Sequence, residues 1–266
     1  LSLWWGLPPA EMERVRQRHA GEHLSVPQLL IRCVCFNVTC PPFDDRRVRQ
    51  AFAHAIDREA LAHMIMRGFA SPATGGFVPP GMPGHSPGIG LQYDPDRARD
   101  LLARAGYAQG RGFPVVEWPT FSGSEIVAER LQREWRRILR VEMRRETLEW
   151  KPYVERIFSG CSSVFLGAWM ADYPDPDNFL RQGDYRHSTR WENATYDALV
   201  EKARHTVDQE ERMRMYRQAD RILMEEASLV PLVYSRQNVL VKPWVRRYPV
   251  CSFKWWFWKD IVIEPH

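Results

Sequence analysis

The chain has 266 residues, of which 44% are hydrophobic and 26% are charged, and this composition excludes disorder over most of its length. Its 37 basic and 33 acidic residues give a formal net charge of +4 that is spread along the sequence, so nucleic acid is not an expected partner. No run approaches the roughly 18 apolar residues of a membrane span. Leu1 to Pro9 also lack the pattern of a secretion signal, and we expect the sequence to be part of a longer protein.

The first predicted elements are a short helix, a strand and a long helix. Pro8 to His19 has the pattern of a helix, and Leu29 to Val38 is an apolar, β-branched strand. Pro41 to Asp45 forms a turn whose aspartates can cap the next helix. That helix is predicted from Arg46 to Arg67, because apolar residues recur at near-helical spacing until Gly68.

The middle of the chain predicts a long loop followed by alternating strands and helices. Ser71 to Gly90 is rich in proline and glycine and predicts an irregular surface loop, after which Asp94 caps a helix that ends at Gly106. The elements that follow are, in order, strand, helix, strand, helix and strand: Phe113 to Trp118, Ser124 to Leu139, Val141 to Leu148, Trp150 to Phe158 and Ser162 to Trp169. This alternation predicts an α/β fold with helices covering a sheet.

The last part of the chain predicts a return to the region where the chain began. Two helices, Ala194 to Thr206 and Asp208 to Glu226, precede an apolar strand from Leu229 to Tyr234, and Phe257 to Ile263 forms a final strand. Because the two ends flank a self-contained block, we predict three segments. They are residues 1–30, the block of residues 31–235, and residues 236–266, which rejoin the first segment.

The five cysteines do not indicate a disulfide framework, because their number is odd and their spacing does not repeat. Cys33, Cys35 and Cys40 raise the alternative of a metal site. However, cysteine also packs on a strand as a small hydrophobe, and Cys161 and Cys251 supply no second pair for a tetrahedral site. We therefore predict neither a metal nor another cofactor.

The sequence does not indicate an enzyme. Its eight histidines are scattered, and it contains no HExxH, GxSxG or P-loop pattern. His54 and His63 lie on the predicted long helix, but their spacing of nine residues places them on different sides and far apart. No catalytic residue is predicted.

The candidate ligand-binding residues begin at the end of a predicted strand, where Trp169 is followed by Asp172. Ligands of open α/β sheets bind at the carboxyl edge, although the prolines and aspartate after Asp172 also suit a simple turn. Trp150 and Trp169 offer rigid aromatic faces to a ligand, or alternatively belong to the core. Tyr234 is a fourth candidate, because it lies where the chain leaves the predicted block.

Four stretches resemble the peptide and nickel family of ABC-transporter solute-binding proteins, which includes the oligopeptide- and dipeptide-binding proteins. The stretches occur in the family's order and are FNVTCPPFDDRRVRQAFAHAIDREAL, YDPDRARDLLARAGY, WMADYPDPDNFL and LVPLVYSRQNVLVKPWV. The resemblance implies a periplasmic-binding-protein-like type II fold, with the distal lobe and part of the first lobe in this chain. It also implies a monomer that captures a peptide or similar solute by lobe closure and delivers it to an ABC permease.

Such proteins are periplasmic, or extracellular and attached to the membrane through an amino-terminal anchor. The resemblance also allows a second function, a ligand-sensing module fused to a transcriptional regulator. The sequence that precedes Leu1 would distinguish the two, since a lipoprotein signal indicates transport and a DNA-binding or activator domain indicates sensing.

The resemblance assigns roles to the candidate residues. Asp172 matches the aspartate that receives a ligand's α-amino group, and Trp150 and Trp169 match aromatic positions that line the pocket. The arginines that hold a ligand carboxylate in the oligopeptide branch are replaced here by Ile157 and Leu166. We therefore do not expect long peptides to bind in that manner.

Overall fold

The computed structural model describes residues 11–65, 70–160, 162–183, 185–248, 259 and 261–265. The α-helices are α1 Met12–Arg18, α2 Arg46–His54, α3 Arg58–Ala60, α4 Pro95–Arg104, α5 Glu125–Leu139, α6 Trp150–Phe158, α7 Pro176–Leu180, α8 Tyr185–Thr189, α9 Ala194–His205 and α10 Gln209–Glu226. A π-helix, Leu61–Ile65, continues α3, and a 3-10 helix spans Ala108–Gly110. The strands are β1 His23–Phe36, β2 Ala70–Pro72, β3 Val116–Phe121, β4 Met143–Leu148, β5 Val164–Met170, β6 Leu229–Leu240, β7 Val245–Arg246 and β8 Val262–Ile263.

The principal sheet has four antiparallel strands in the order β2-β6-β1-β5. β1 and β6 pair from His23 opposite Leu240 to Cys35 opposite Leu229. Both strands exceed the predictions, which began β1 at Leu29 and ended β6 at Tyr234. The extra residues do not alternate regularly between apolar and polar. They form strands because the two segments pair with each other, and that pairing cannot be read from either segment alone.

The pairing of β1 with β6 is irregular where the sequence predicts a boundary. The register passes from Pro27 opposite Arg236 to Ile31 opposite Tyr234, so β1 contains two more residues than β6 over this step. Beyond it, the Lys242 ammonium contacts the Glu22 carboxylate at 2.9 Å. The described parts of the two end segments therefore lie together, while the division of the chain into lobes stays a prediction.

A smaller parallel sheet is formed by β3 and β4, which α5 connects. Trp135 lies in the buried stripe of α5, and its indole N–H donates to the carbonyl of Phe52 at 3.1 Å. Arg140 ends α5 in the left-handed conformation at φ 59°. The predicted strand–helix–strand unit is confirmed, although the principal sheet beside it is antiparallel.

Alternate residues of β1 contribute to two apolar cores, one on each face of the principal sheet. Val34 and Phe36 belong to the first core, which α2, α4 and α5 cover. Ile31, Cys33 and Cys35 belong to the second core, which α9 and α10 cover. Burial on both faces explains why the carboxyl half of β1 is a continuous apolar run.

The predicted single helix from Arg46 to Arg67 is wrong. α2 ends at His54, and α3 begins after Asp57, whose carboxylate accepts the amide of Ala60 at 2.9 Å. The amide of Asp57 itself donates to the carboxylate of Glu134 on α5 at 3.2 Å. These side-chain partners replace the helical hydrogen bonds, so the apolar spacing continues through a break in the helix.

The predicted elements near the termini are only partly described. Residues 8–10 of the predicted first helix, Pro8 to His19, lie outside the described residues, and α1 covers Met12–Arg18 of it. Residues 257, 258 and 260 of the predicted final strand, Phe257 to Ile263, also lie outside them. Its described end, β8, pairs antiparallel with β7.

The long loop between β2 and α4 is held by a buried carboxylate on α10. Asp220 accepts the amide of Phe77 at 2.8 Å, and Tyr234 donates its hydroxyl to the carbonyl of Gly76 at 2.7 Å. A Cβ added at Gly76 would overlap the Asp220 carboxylate, so this approach requires glycine. The proline- and glycine-rich segment therefore has a fixed position despite its lack of regular structure.

Burial raises the pKa of Asp220 to about 7, against the opposing effect of the Phe77 and Val78 amides. Aspartate in an unfolded chain has a pKa of about 3.9. As pH rises between these values, the unfolded state releases its proton first, so the free energy of unfolding falls by up to roughly 4 kcal/mol. We expect Asp220→Asn to remove this slope.

Urea unfolding of the chain at about pH 4 and about pH 7.5 measures the slope. The matched control is Asp96→Asn, which changes an exposed aspartate on α4 and should keep the wild-type slope. Parallel pH profiles for wild type and Asp220→Asn would contradict the prediction.

Candidate functional site

Trp169 lies at the end of β5, an edge strand of the principal sheet. It stands directly opposite Ile31 of β1, which stands opposite Tyr234 of β6. Residues directly opposite one another place their side chains on the same face of a sheet. Two of the four predicted site residues, Trp169 and Tyr234, therefore belong to one row across the sheet.

Tyr234 is not brought to the surface with the other candidates. It is only 4% exposed, its hydroxyl is bonded to Gly76, and its ring packs edge-on against His85 at 5.8 Å. The structure thus places Tyr234 in the second core, where it supports the loop. Its predicted contact with a ligand would require this packing to open.

Asn178 connects Trp169 with Asp172. Its buried side-chain carbonyl accepts the indole N–H of Trp169 at 3.0 Å and the amide N–H of Asp172 at 3.1 Å. The amide nitrogen of Asn178 lies 3.5 Å from the Asp172 carboxylate. One buried side chain therefore fixes both the ring and the start of the loop that follows β5.

Sequence reasoning missed Asn178, although a signal for it was present. Asp175 and Pro176 are a capping pair, and Asp175 accepts the amide of Asp177 at 2.9 Å at the start of α7. A helix that begins this close to Asp172 turns its first residues back toward the end of the strand. Asn178 lies in that first turn.

The rest of the loop is fixed by two ion pairs. Asp175 receives two hydrogen bonds from Arg212 of α10, at 2.7 and 2.8 Å. Asp177 receives two from Arg181, at 2.7 and 2.6 Å. Burial raises the pKa of Asp177, but the Arg181 guanidinium and the Tyr173 hydroxyl outweigh it and lower that pKa overall.

The turn after β5 therefore uses Asp175 and Asp177 rather than the carboxylate of Asp172. Asp172 is exposed and forms no ion pair within the described residues. Its one side-chain contact with hydrogen-bonding geometry is the long one to Asn178. The carboxylate is thus available to a partner outside the turn.

Trp150 presents an exposed aromatic face at the carboxyl ends of β3 and β4. It begins α6 and is 62% exposed, and its ring packs edge-on against Phe121 at 5.2 Å. Phe121 ends β3 and stands opposite Leu148, which ends β4. Trp150 thus lies at a carboxyl edge, and its contact with a ligand stays a prediction.

Tyr153 joins the Trp150 helix to β5. Its hydroxyl donates to the carbonyl of Leu166 at 2.5 Å and accepts the amide of Leu166 at 3.0 Å. Both backbone groups of Leu166 therefore point away from β1, toward the outer edge of β5. This contact shows which residues of β5 face outward.

The outer edge of β5 is open beyond Leu166. In an extended strand the amide and carbonyl groups of every second residue share one edge, so those of Ala168 and Met170 also point outward. No side chain in the described parts of the chain bonds to them, and Ala168 is exposed. An open strand edge of this kind can accept another extended chain.

Ile157 and Leu166 occupy the positions where the resemblance places arginines. Ile157 is buried in the second core and Leu166 in the first. Both side chains are almost fully buried, so neither is exposed to a ligand. These two positions therefore serve packing in this chain.

The cysteines and histidines do not assemble into a site in the described residues. Cys33 and Cys35 are buried with sulfur atoms 3.5 Å apart, and both face Gly167 of β5. Across the described ranges, no three histidine, cysteine or acidic side chains are placed to hold a metal ion. In the same ranges, no helix combines the length and apolarity needed to cross a membrane.

Comparison with known proteins gives consistent matches. The family model of bacterial extracellular solute-binding proteins, family 5 Middle, matches residues 1–190. Di/tripeptide-binding protein 1 of Pseudomonas aeruginosa (strain UCBPP-PA14) is 33% identical over 83% of this chain and 43% of its own length. A probable deoxycholate-binding periplasmic protein of Escherichia coli (strain K12) is 29% identical over 100% of this chain and 51% of its own.

Solved structures share the fold. The ABC transporter-associated periplasmic binding protein DppA from Helicobacter pylori, in complex with the peptide STSA, superposes with a TM-score of 0.83 at 26% identity. The alignment covers 98% of this chain and 52% of that structure. The chain thus spans about half the length of the relatives it matches, and the predicted type II periplasmic-binding-protein fold is confirmed. The chain belongs to the bacterial extracellular solute-binding proteins of family 5.

Proposed function

We propose that this chain supplies one side of a binding site that captures a peptide or a similar small solute outside the cytoplasm, for delivery to an ABC permease. The relatives it matches are binding proteins, and they include a di/tripeptide-binding protein and an ABC transporter-associated periplasmic binding protein in complex with a peptide. The observation that carries the proposal is the open outer edge of β5, which ends at the partly buried ring of Trp169 and is followed by the exposed carboxylate of Asp172.

The open edge suits the backbone of a peptide. The outward amide and carbonyl groups of Ala168 and Met170 can form main-chain hydrogen bonds with an extended ligand, as one further strand. Such bonds do not depend on the ligand's side chains, so this edge fits a class of short peptides rather than one sequence.

Asp172 suits the amino terminus of that ligand. Its carboxylate follows the open edge directly and has no cationic partner within the described part of the chain. An ammonium group placed there forms a charge-assisted hydrogen bond, which contributes about 1.5 to 3 kcal/mol when water is excluded.

Trp150 and Trp169 suit the ligand's side chains. The ring of Trp150 packs edge-on against Phe121, and the ring of Trp169 is fixed by its hydrogen bond to Asn178. Both rings are therefore already ordered before a ligand binds. Rigid aromatic surface stabilises a complex at a low entropic cost. The two rings are thus suited to apolar or cationic side chains.

Capture also requires a second surface. Trp150 and Asp172 are exposed in this chain, and a charge pair in water contributes little. We propose that the predicted first lobe, to which residues 1–30 and 236–266 would belong, closes over the open edge and excludes water. The irregular step between Pro27 and Ile31 is the part of the β1–β6 pair suited to bending.

Removal of the Asn178 side chain should weaken both folding and binding. Asn178→Ala leaves the Trp169 indole and the Asp172 amide without their acceptor, so we expect a loss of about 1 to 3 kcal/mol in the free energy of unfolding. The hydrogen of the Trp169 indole should also exchange faster with solvent. Urea unfolding and NMR-detected hydrogen exchange measure the two effects.

The matched control for this variant is Asn193→Ala. Asn193 also accepts a backbone amide, that of Tyr196 at the start of α9, and its loss should cost about 1 kcal/mol of stability. In the full-length protein only Asn178→Ala should lower the affinity for a tripeptide. Equal tripeptide affinities for the two variants would contradict a role of Asn178 in ligand binding.

Removal of the Asp172 charge should weaken binding of ligands that carry a free amino group. In the full-length protein we expect Asp172→Asn to cost roughly 2 to 5 kcal/mol in the binding of trialanine, because its ammonium loses a buried partner. N-acetyl-trialanine, which has no ammonium, should lose little. Calorimetry with both peptides measures the difference.

Glu149→Gln is the matched control, because it removes one exposed carboxylate beside Trp150 and should change neither affinity. Equal losses for the two peptides in Asp172→Asn would show that Asp172 shapes the loop without reading charge. Tight binding of trialanine by the isolated 266 residues would show that the site does not need a second lobe.

A further inference from the structure

Arg32 lies on the central strand of the principal sheet at the point where the first core ends. It stands between Ala168 of β5 and Val233 of β6, on the face opposite to Trp169. Two residues further along each strand, Val34 and Leu166 are buried, whereas Arg32 and Ala168 are exposed. Arg32 and Ala168 are thus neighbours at the end of β5 that carries the open edge.

Arg32 differs from the two other arginines whose pKa desolvation lowers, because its side chain has no partner among the described residues. Burial lowers the pKa of Arg32, Arg49 and Arg58. Arg49 donates to the carbonyl of Glu226 at 2.8 Å, and Arg58 donates to the carbonyl of Pro231 at 2.6 Å. Within the described ranges, the side chain of Arg32 forms neither a hydrogen bond nor an ion pair.

The Arg32 guanidinium is partly desolvated and has no counterion among the described residues. The side chain keeps accessible surface, yet desolvation by the surrounding protein lowers its pKa, and no nearby carboxylate opposes that effect. A guanidinium stays protonated in proteins, so it cannot relieve this cost by losing its proton. A cation in such a position is stabilised when an anion binds to it.

The open edge of β5 brings a ligand within reach of this cation. An added strand would lie about 10 Å from β1, two strand spacings away, with β5 between them. Ala168 is the β5 residue directly beside Arg32, and its methyl group leaves the path across β5 unobstructed. Successive ligand side chains point to opposite faces, so some point to the face of Arg32.

We propose that Arg32 binds a carboxylate of the ligand across Ala168, and that it gives the site a preference for ligands with an acidic side chain or a free carboxyl terminus. This proposal rests on the proposed function, since it needs a ligand on the β5 edge. Ile157 and Leu166 cannot bind a carboxylate, so Arg32 supplies from β1 the cation that those two positions lack. Asp172 and Arg32 then bind the two charges of one zwitterionic ligand.

The test uses the full-length protein and four tripeptides. Ala-Glu-Ala is compared with Ala-Gln-Ala to test a side-chain carboxylate, and each peptide is compared with its carboxyl-terminal amide to test the terminal one. We expect one of the two carboxylates to raise the affinity of the wild type by about tenfold to a hundredfold. Arg32→Gln should abolish that ratio, and Arg32→Lys should keep part of it.

The control is Arg217→Gln, which removes an exposed arginine from α10 and should keep the wild-type ratio. Urea unfolding of each variant without peptide checks that the fold is intact. Unchanged ratios in Arg32→Gln would overturn the proposal. An equal loss for all four peptides with a matching loss of stability would also overturn it, because Arg32 would then pair with a carboxylate elsewhere in the protein.

The failure of the proposed function has a different signature. If the wild type binds none of the four peptides, peptide capture fails, and the role of Arg32 fails with it. If the wild type binds all four equally well, peptide capture stands and only the role of Arg32 is overturned.

Discussion

The pairing of β1 with β6 is the constraint on which the other features depend. Its register places Ile31 between Tyr234 and Trp169, and it separates the residues of β1 that enter the first core from those that enter the second. A shift of one residue would exchange the two faces, burying Arg32 and exposing Ile31. Burial of apolar residues on both sides of the sheet therefore makes this register the stable one, and it positions β5 as the open edge.

The proposed site combines main-chain groups of β5 with two charged side chains, Asp172 after the strand and Arg32 on the neighbouring strand β1. Asn178 and the two ion pairs of the following loop hold Trp169 and Asp172 before any ligand is bound. Tyr153 holds β5 from the outside at Leu166 and leaves the next outward residues free. Because these supports are rigid, little ordering remains to oppose association.

Sequence patterns predicted the parts of the fold that local interactions determine. The capping aspartates of α2 and α4, the apolar stripe of α5 and the strand end at Trp169 all act within a few residues. The full length of β1, the break at Asp57 and the burial of Tyr234 depend on partners distant in sequence, as do the contacts of Asn178. Sequence analysis did not identify Arg32 as a site residue, because the lack of a partner for its side chain is visible only once its neighbours on β5 and β6 are known.

The two proposed charge contacts explain why the open site can bind ligands weakly before closure and select among them after closure. Asp172 and Arg32 carry charges of opposite sign. A ligand with a single charge therefore forms one of the two charge contacts, whereas a zwitterion forms both. In water the Coulomb energy of each contact is small, and it grows several-fold as the local dielectric falls. Selectivity for a doubly charged ligand would thus arise mainly when a second surface excludes water, which links recognition to closure. The same exclusion penalises a ligand that leaves either charge unpaired, because an unpaired charge in a dry site costs more than the lost bond.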